Sequence, residues 1–277
     1  MALDVKAVGK KSAEKVFEYD WKRVVLYALG VGARVDELDF LYEGRGPKVL
    51  PTFAVIPAFE SSFEVIPAAG GNIFGLVHGA QSVKIHKPIA PSGKLTTVSE
   101  IKGVYDLRKM ASLVVGTETR DAKGELVFET EWNIIFRLDG NFDGPPPPPT
   151  EHVRPSDRAP DWRREETTTR EQALLYRLSG YLTPLHADPN FAKASGFDRP
   201  ILHGLCTFGH MGRAAVIHAA GGDPTKIAAI GGQFRKPVLP GDTLVTEGWQ
   251  EGKRCVMRVT VKERDEAPIQ NAYVDLV

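Results

Sequence analysis

The chain has 277 residues, 42% of them hydrophobic and 25% charged, which is the composition of a globular protein with one large domain or two small domains that share a core. Its 35 basic and 35 acidic residues cancel, so no overall field draws it to nucleic acid or an acidic membrane. No apolar run approaches the roughly 18 residues of a membrane span, and residues 1 to 6 lack the apolar core of a signal peptide. Cys206 and Cys255 lie in apolar runs and are expected to be free thiols in a reducing, cytoplasmic compartment. No Cys/His spacing indicates a metal site.

The first half begins with a capped helix, because Asp20 is a suitable N-cap for residues 21 to 30. Residues 31 to 49 are predicted as a loop, 51 to 57 as the start of a second apolar segment, and 58 to 75 as irregular covering structure rich in Gly and Ala. Alternating and β-branched residues then predict four strands, over 81 to 86, 95 to 106, 111 to 120 and 126 to 138.

Five consecutive prolines, 145 to 149, separate the halves of the chain. Such a run cannot lie inside a helix or a central strand, and it favours an extended polyproline segment. We therefore predict an N-terminal half over 1 to 144, a linker over 145 to 169 and a C-terminal half over 170 to 277.

The C-terminal half repeats this order. A short helix is predicted over 171 to 178, and Asp188 followed by Pro189 predicts the start of another. A long apolar helix is predicted from Gly204 to about residue 220, where two glycines follow. Four more strands are predicted, over 228 to 234, 243 to 250, 254 to 261 and 269 to 276.

Two pairs of segments indicate an internal repeat. The segment 26 to 29 (LYAL) matches 175 to 178 (LYRL), and 87 to 91 (KPIAP) matches 236 to 240 (KPVLP). Both pairs are 149 positions apart, which favours duplication over chance. Each unit reads as a helix followed by an antiparallel sheet, so the predicted fold class is α+β.

The stretch from 176 to 209 carries residues suited to chemistry. Gly204 begins the long helix, so its N–H has no partner within the helix, and the helix dipole adds partial positive charge. Without a side chain it can admit a carbonyl oxygen; the alternative is a glycine needed only for close helix–sheet packing. His186, on a Pro-rich turn, is a candidate proton-transfer group. His203, directly before the helix, is interpreted as structural or helix-orienting.

The same stretch resembles the MaoC-like, type-two (R)-specific 2-enoyl-CoA hydratases, which include the hydratase part of the peroxisomal multifunctional enzyme. Their pattern is Y-R-L-S-G-D-x-N-P-L-H-x-D-P followed by P-I-L-H-G-L, and this chain has YRLSGYLTPLHADP and PILHGL. The resemblance implies a double hot-dog fold, in which each half wraps a curved sheet around a long helix. It also implies addition of water to trans-2-enoyl-CoA to give (3R)-hydroxyacyl-CoA, with no cofactor, an acyl-CoA as the small-molecule partner and a homodimer.

By this resemblance, the Gly204 N–H holds the thioester oxygen while His186 and a family Asp hold and deprotonate the water. Two positions depart from the pattern: Tyr181 replaces the Asp and Thr183 replaces the Asn. A phenol, with a pKa of about 10, stays protonated at neutral pH, so Tyr181 is a poor base, and its ring fills the space of the water. With Leu182 between them, these residues indicate an engineered or naturally repurposed pocket rather than tolerated loop variation.

A second segment belongs to the predicted substrate site. His78-Gly79-Ala80 followed by Gln81 resembles the family's H-G-E-Q, with Ala80 in place of Glu. Glu43 matches a family Glu implicated in the active site, or alternatively pairs with a nearby Arg.

Arg235 and Lys236 match a basic pair near the CoA phosphates, or alternatively form a solvated face. The N-terminal half has no counterpart of His186. The resemblance therefore predicts that this half houses the acyl chain, with 58 to 75 as its tunnel, and that chemistry occurs in one half only.

Three hypotheses about function follow. The first is a hydro-lyase whose hydration activity is reduced or altered by Tyr181 and Thr183. The second is a non-catalytic acyl-CoA-binding protein on the same scaffold. The third is an enzyme that adds another nucleophile to an enoyl thioester, since Tyr181 and Leu182 make the pocket less hospitable to water.

Overall fold

Ten antiparallel strands form one continuous sheet in a computed structural model that describes residues 3–277. Across the sheet their order is β1-β3-β4-β5-β2-β7-β10-β9-β8-β6. In chain order, the strands are β1 (Lys15–Tyr19), β2 (Leu76–Ile85), β3 (Gly93–Asp106), β4 (Ala111–Asp121), β5 (Leu126–Phe136), β6 (Trp162–Thr167), β7 (Ile227–Phe234), β8 (Thr243–Glu251), β9 (Arg254–Val261) and β10 (Glu266–Leu276).

The α-helices within residues 3–277 lie between these strands. They are α1 (Trp21–Gly30), α2 (Leu38–Leu41), α3 (Val55–Val65), α4 (Gln172–Tyr176), α5 (Pro189–Ala194) and α6 (Gly204–His218). None of these helices combines the length and the apolar character needed to cross a bilayer.

The two halves of the sheet repeat one strand order from the edge inward: β1, β3, β4, β5, β2 in the first and β6, β8, β9, β10, β7 in the second. At the centre β2 pairs with β7, and Ser82 lies opposite Gly231. These two residues are 149 positions apart, so a pseudo-twofold axis relates the repeats at this pair. Because α3 packs on β3 and β4, and α6 on β7, β8 and β10, the double hot-dog fold is confirmed.

Local signals set the helix ends as the sequence predicts. The Asp20 carboxylate accepts hydrogen bonds from the Lys22 and Arg23 N–H groups, and the Asp188 carboxylate accepts from the Asn190 N–H at 2.8 Å. From residue 205 to residue 216, every residue of α6 is buried. Burial on all sides places α6 in the core of the second repeat.

The structure contradicts two element predictions, since the predicted loop over 31 to 49 contains the short helix α2 and the segment after residue 55 is helical. Residues 55 to 65 form α3, the core helix of the first repeat, rather than an apolar segment followed by irregular structure. Pro57 is compatible with this helix because it occupies the first turn, where no N–H has an intrahelical partner. The edge strands β1 and β6 were not predicted. Strand β6 (Trp162–Thr167) lies inside the segment predicted as a linker, 145 to 169, and pairs with β8.

Candidate active site

Two imidazoles stack beside the N-terminus of α6. His186 ends the 3-10 turn Pro184–His186, and His203 immediately precedes Gly204. Their ring centroids are 3.6 Å apart, and their planes differ by 24°. Both side chains are buried, with relative exposures of 7% and 1%. We call these two residues the imidazole pair.

Backbone carbonyls fix the tautomer of each ring. Nδ1 of His186 lies 2.9 Å from the Ile201 carbonyl oxygen, and Nε2 of His203 lies 3.2 Å from the Tyr181 carbonyl oxygen. A carbonyl can only accept, so each of these nitrogens carries the proton and donates. Nε2 of His186 and Nδ1 of His203 therefore keep free lone pairs, and the latter is buried without a partner.

Both imidazoles are neutral at pH 7. Burial lowers the pKa of His186 to about 4; the hydrogen bond to Ile201 opposes this shift and the charge of Arg177 adds to it. Burial, followed by the proximity of His186, lowers the pKa of His203 to about 2. A neutral imidazole with a free Nε2 lone pair can accept a proton, which is the state that a general base needs.

Gly204 presents an unused N–H beside this pair. It is half-buried and begins a helix of 15 residues, and no group within residues 3–277 accepts a hydrogen bond from its N–H. A Cβ at this position would lie 3.2 Å from the ring of Phe234. The close packing and the open N–H thus occur together, and both interpretations of this glycine fit the structure.

The Tyr181 ring contacts the imidazole pair. Its centroid is 5.7 Å from that of His186 and 5.2 Å from that of His203, in edge-on arrangements. Burial raises its pKa above 10, and the nearby Thr183 hydroxyl opposes the shift. Tyr181 is therefore a neutral phenol beside the imidazoles and does not supply a base. Leu182, by contrast, is 59% exposed.

The N-terminal repeat contributes His78 to the surroundings of the site. His78 stacks on Trp132 at 5.1 Å and contacts Phe234 at 4.9 Å, and burial lowers its pKa to about 4. Gly79 forms a bulge between His78 and Ala80, and a Cβ there would meet the Ile135 side chain at 2.6 Å. Because the Phe234 ring contacts both His78 and Gly204, this segment lies next to Gly204.

The remaining predicted residues lie at the surface. Arg235 and Lys236 are exposed and directly follow Phe234, so they lie on the chain that leaves the Gly204 side of the site. Lys236 Nζ is 3.6 Å from the Glu266 carboxylate, which partly neutralises it. Glu43 is exposed, and no contact of the described residues joins its carboxylate to the imidazole pair or to an Arg. The predicted roles of these three residues stay predictions.

Several neighbours of the site were not predicted. The direct stack of His203 on His186 was missed because 17 positions and the whole of α5 separate the two residues. Phe59 and Phe63 of α3 contact Tyr181, with ring centroids 4.4 and 6.3 Å away, and were missed together with their helix. Their spacing of four residues is a helical signal that could have identified them.

Two family models match nearly all of the chain. One, the MFE-2 hydratase 2 N-terminal domain, matches residues 17–137, and the other, the MaoC like domain, matches residues 152–271. A 3-hydroxyacyl-thioester dehydratase from Mycobacterium tuberculosis is 39% identical over 96% of this chain and 94% of its own length. The chain belongs to the MaoC-like hydratase family. The resemblance in the sequence motif is thereby confirmed for the whole chain.

Other members of the MaoC-like hydratase family are similarly close. A peroxisomal enoyl-CoA hydratase 2 from Arabidopsis thaliana is 37% identical over 97% of this chain and 94% of its own length. The mouse peroxisomal multifunctional enzyme type 2 is 38% identical over 99% of this chain, which spans only 38% of that longer protein. The crystal structure of a MaoC-like dehydratase from Phytophthora capsici superposes with a TM-score of 0.90 at 31% identity, covering 99% and 98% of the two chains.

Proposed function

We propose that this protein hydrates trans-2-enoyl-CoA thioesters to (3R)-3-hydroxyacyl-CoA, with His186 as the proton-transfer group and the Gly204 N–H as the oxyanion donor. The observation that carries the proposal is the neutral imidazole with a free Nε2, stacked on the residue that precedes an unused helix N-terminal N–H. Relatives covering nearly the whole chain are named enoyl-CoA hydratase 2, which supports the substrate class.

The reaction adds one water molecule and exchanges no electrons with the protein. The water oxygen bonds to C3 while its proton passes to Nε2 of His186. The C2=C3 π electrons form a C1=C2 bond, the π electrons of the carbonyl move onto the thioester oxygen, and this oxyanion accepts a hydrogen bond from the Gly204 N–H. The imidazolium then returns the proton to C2, which restores the neutral base. A single imidazole can thus perform both proton transfers.

Tyr181 limits this chemistry in two ways. Burial raises the pKa of the Tyr181 phenol, which therefore stays protonated and cannot hold the water as a carboxylate at this position would. Its ring also occupies space beside His186. We therefore expect hydration to be slower than in a variant that carries a carboxylate at this position.

The first test is hydration of crotonyl-CoA, followed through the loss of ultraviolet absorbance of the enoyl thioester. We expect measurable hydration by the protein itself and a rate about 10²–10⁴-fold higher for the Tyr181→Asp, Thr183→Asn double variant. Leu182→Ala, at an exposed neighbouring position, is the matched control for disturbance of the loop. If neither the protein nor the double variant hydrates an enoyl-CoA of any chain length, the proposal fails.

The phenol at position 181 specifically favours a second candidate, an acyl-CoA-binding protein without turnover. This candidate predicts that acyl-CoA binds and that His186→Ala leaves both affinity and the absence of turnover unchanged. Hydration that depends on His186 excludes it. A product formed only with a nucleophile other than water would instead support conjugate addition by the same site.

We also propose a homodimer in a reducing, cytoplasmic compartment, with a CoA thioester as substrate and no cofactor. The two free and buried cysteines, Cys206 and Cys255, support the reducing compartment. The outer edges of β1 and β6, at the two ends of the sheet, are surfaces through which two copies could pair. The proposed reaction requires only the thioester and water, which supports the proposal of no cofactor.

A further inference from the structure

A cleft of about 250 Å³ lies on the N-terminal-repeat side of Tyr181. Its apolar lining comes from β1, α3 and the start of α6 and includes Phe17, Val55, Ile56, Phe59, Tyr181 and Leu205, while Lys15, Arg23 and Glu60, the last two exposed, add charged groups. This volume is below the roughly 300–1,000 Å³ of sites for drug-sized ligands. The cleft therefore suits an alkyl tail rather than a whole CoA molecule.

Tyr181 stands between this cleft and the imidazole pair. Its ring contacts Phe59 and Phe63 as well as His186 and His203. Among the ring contacts of residues 3–277, none joins either phenylalanine directly to either histidine. The lining of the cleft includes Tyr181 but neither histidine. The tyrosine ring is thus the boundary that both spaces share.

The position of the thioester determines whether the acyl chain must cross this boundary. If the thioester oxygen lies at the Gly204 N–H and C3 lies beside His186, the fourth and later carbons of the acyl chain must continue past Tyr181 to reach the cleft. A carboxylate or other small side chain would leave that route open. The ring of Tyr181, held by edge-on packing against Phe59 at 4.4 Å, closes it.

We propose that Tyr181 is the residue that sets acyl chain length, restricting this site to short acyl-CoA thioesters and shutting off a cleft that would accept longer chains. The inference rests on the proposed function, because it takes the acyl-CoA class from there. It makes a separate claim, however, since the boundary acts on binding and not on proton transfer.

The test measures binding of saturated thioesters, which cannot be hydrated, by calorimetry. The protein is expected to bind decanoyl-CoA no more tightly than butyryl-CoA. In Tyr181→Ala the cleft opens, and each methylene buried there favours binding by about fourfold. We expect decanoyl-CoA to gain at least tenfold in affinity relative to butyryl-CoA. Tyr181→Val, which keeps an apolar side chain, serves the same purpose should the alanine variant unfold.

Two control variants isolate the ring. Tyr181→Phe keeps the ring without the hydroxyl and is expected to retain the preference for short chains. Leu178→Ala changes an exposed residue three positions away and is expected to have no effect on the ratio of the two affinities. The inference is overturned if the unaltered protein already prefers decanoyl-CoA tenfold, or if neither small substitution changes the ratio. Absence of binding by every thioester to every variant would overturn the proposed function itself, and this inference with it.

Discussion

In the C-terminal repeat, the start of α6 is flanked by His186, His203 and Gly204, whereas the positions 149 residues earlier hold Glu37, directly before α2, and Ala54 and Val55 at the start of α3. The same offset of 149 positions relates Ser82 and Gly231, which pair at the centre of the sheet, and it relates the first residues of α3 and α6. The first repeat therefore keeps the framework of the site but has a carboxylate in place of the base and a branched side chain in place of the bare glycine.

Charged side chains pack around Glu37 of the first repeat. Arg213 of α6 is fully buried; its guanidinium binds the Glu37 carboxylate at 2.6 Å and the Glu166 carboxylate at 2.5 Å, and its Nε donates to the Val31 carbonyl at 3.0 Å. Arg164 contacts the same two carboxylates, at 2.8 and 2.7 Å. We call Glu37, Arg164, Glu166, His210 and Arg213 the charge cluster.

The charge cluster joins the two repeats, because Glu37 of the first repeat binds Arg164 and Arg213 of the second. Burial alone would raise the pKa of Glu166, but His210, Arg213 and Arg164 together hold it well below its usual value. Two carboxylates face two guanidinium groups, so the buried charges balance without a ligand. The two sites thus differ in charge and in the helix start: the imidazole pair is neutral and lies beside the free N–H of Gly204, whereas the charge cluster pairs buried carboxylates with guanidinium groups.

The largest difference between the two positions should appear in chemistry. We expect His186→Ala to lower kcat/KM for crotonyl-CoA by about 10²–10⁴-fold, because the imidazole proposed to accept the proton of the water is lost. The free energy of unfolding, measured in parallel, should change by less than the free-energy equivalent of this loss of activity. Comparable activity in His186→Ala and the unaltered protein would contradict the assignment of the base.

Gly204 offers a second comparison of the two helix starts. A methyl group in Gly204→Ala would lie 3.2 Å from the Phe234 ring and crowd the approach to the N–H. We expect kcat to fall by about 10²–10³-fold, the usual effect of losing one oxyanion donor. Ala54→Gly, at the corresponding turn before α3, should leave kcat unchanged. Equal losses in both variants would show that packing, not the N–H, matters here.

A substitution that disrupts the charge cluster should lower the free energy of unfolding. Glu37→Gln leaves Arg213 and Arg164 without one of their anions, and breaking a buried pair costs about 3–5 kcal/mol. Denaturant unfolding measures this loss, and the folded variant should keep its kcat. Arg163→Gln breaks an exposed pair with Glu165 and should cost about 0–1 kcal/mol. A similar small cost for Glu37→Gln would mean that the cluster does not hold the repeats together.

The smallest expected effect is the dependence of kcat/KM on pH. His186 must be unprotonated to act as a base, and burial lowers its pKa to about 4. We expect kcat/KM to stay level as the pH falls from 7 to about 5 and to decline only near pH 4. The free energy of unfolding also decreases as the pH falls below about 6.5. There the imidazoles of the unfolded chain bind protons, whereas the buried imidazoles of the folded protein stay unprotonated. Intrinsic fluorescence separates unfolding from titration, and a decline of kcat/KM centred near pH 6.5 in folded protein would contradict a buried base.

Much of the fold is readable from the sequence because its signals are local. Asp20 and Asp188 cap helices where expected, and the constant offset of 149 positions is enough to predict the duplication. The core helix α3 escaped prediction because Pro57 suggests a break, although a first-turn proline costs no hydrogen bond. The edge strands β1 and β6 (KVFEY and WRREET) escaped because charged residues interrupt their alternation.

The candidate site is less predictable because its geometry is not local. The motif identifies His186 and Gly204 as important, but the stack of His186 on His203 depends on how α5 folds back on the chain. Likewise, the contact of Tyr181 with Phe59 joins the two repeats across 122 positions of sequence. Spacing along the chain carries no information about such contacts, which arise only when the repeats pack together.

A crystal structure with butyryl-CoA bound tests the central claim most directly. We expect the thioester oxygen within hydrogen-bond distance of the Gly204 N–H and C3 adjacent to Nε2 of His186, with no ligand at the charge cluster. A thioester bound at the start of α3 instead, or an imidazole of His186 directed away from the acyl chain, would contradict it.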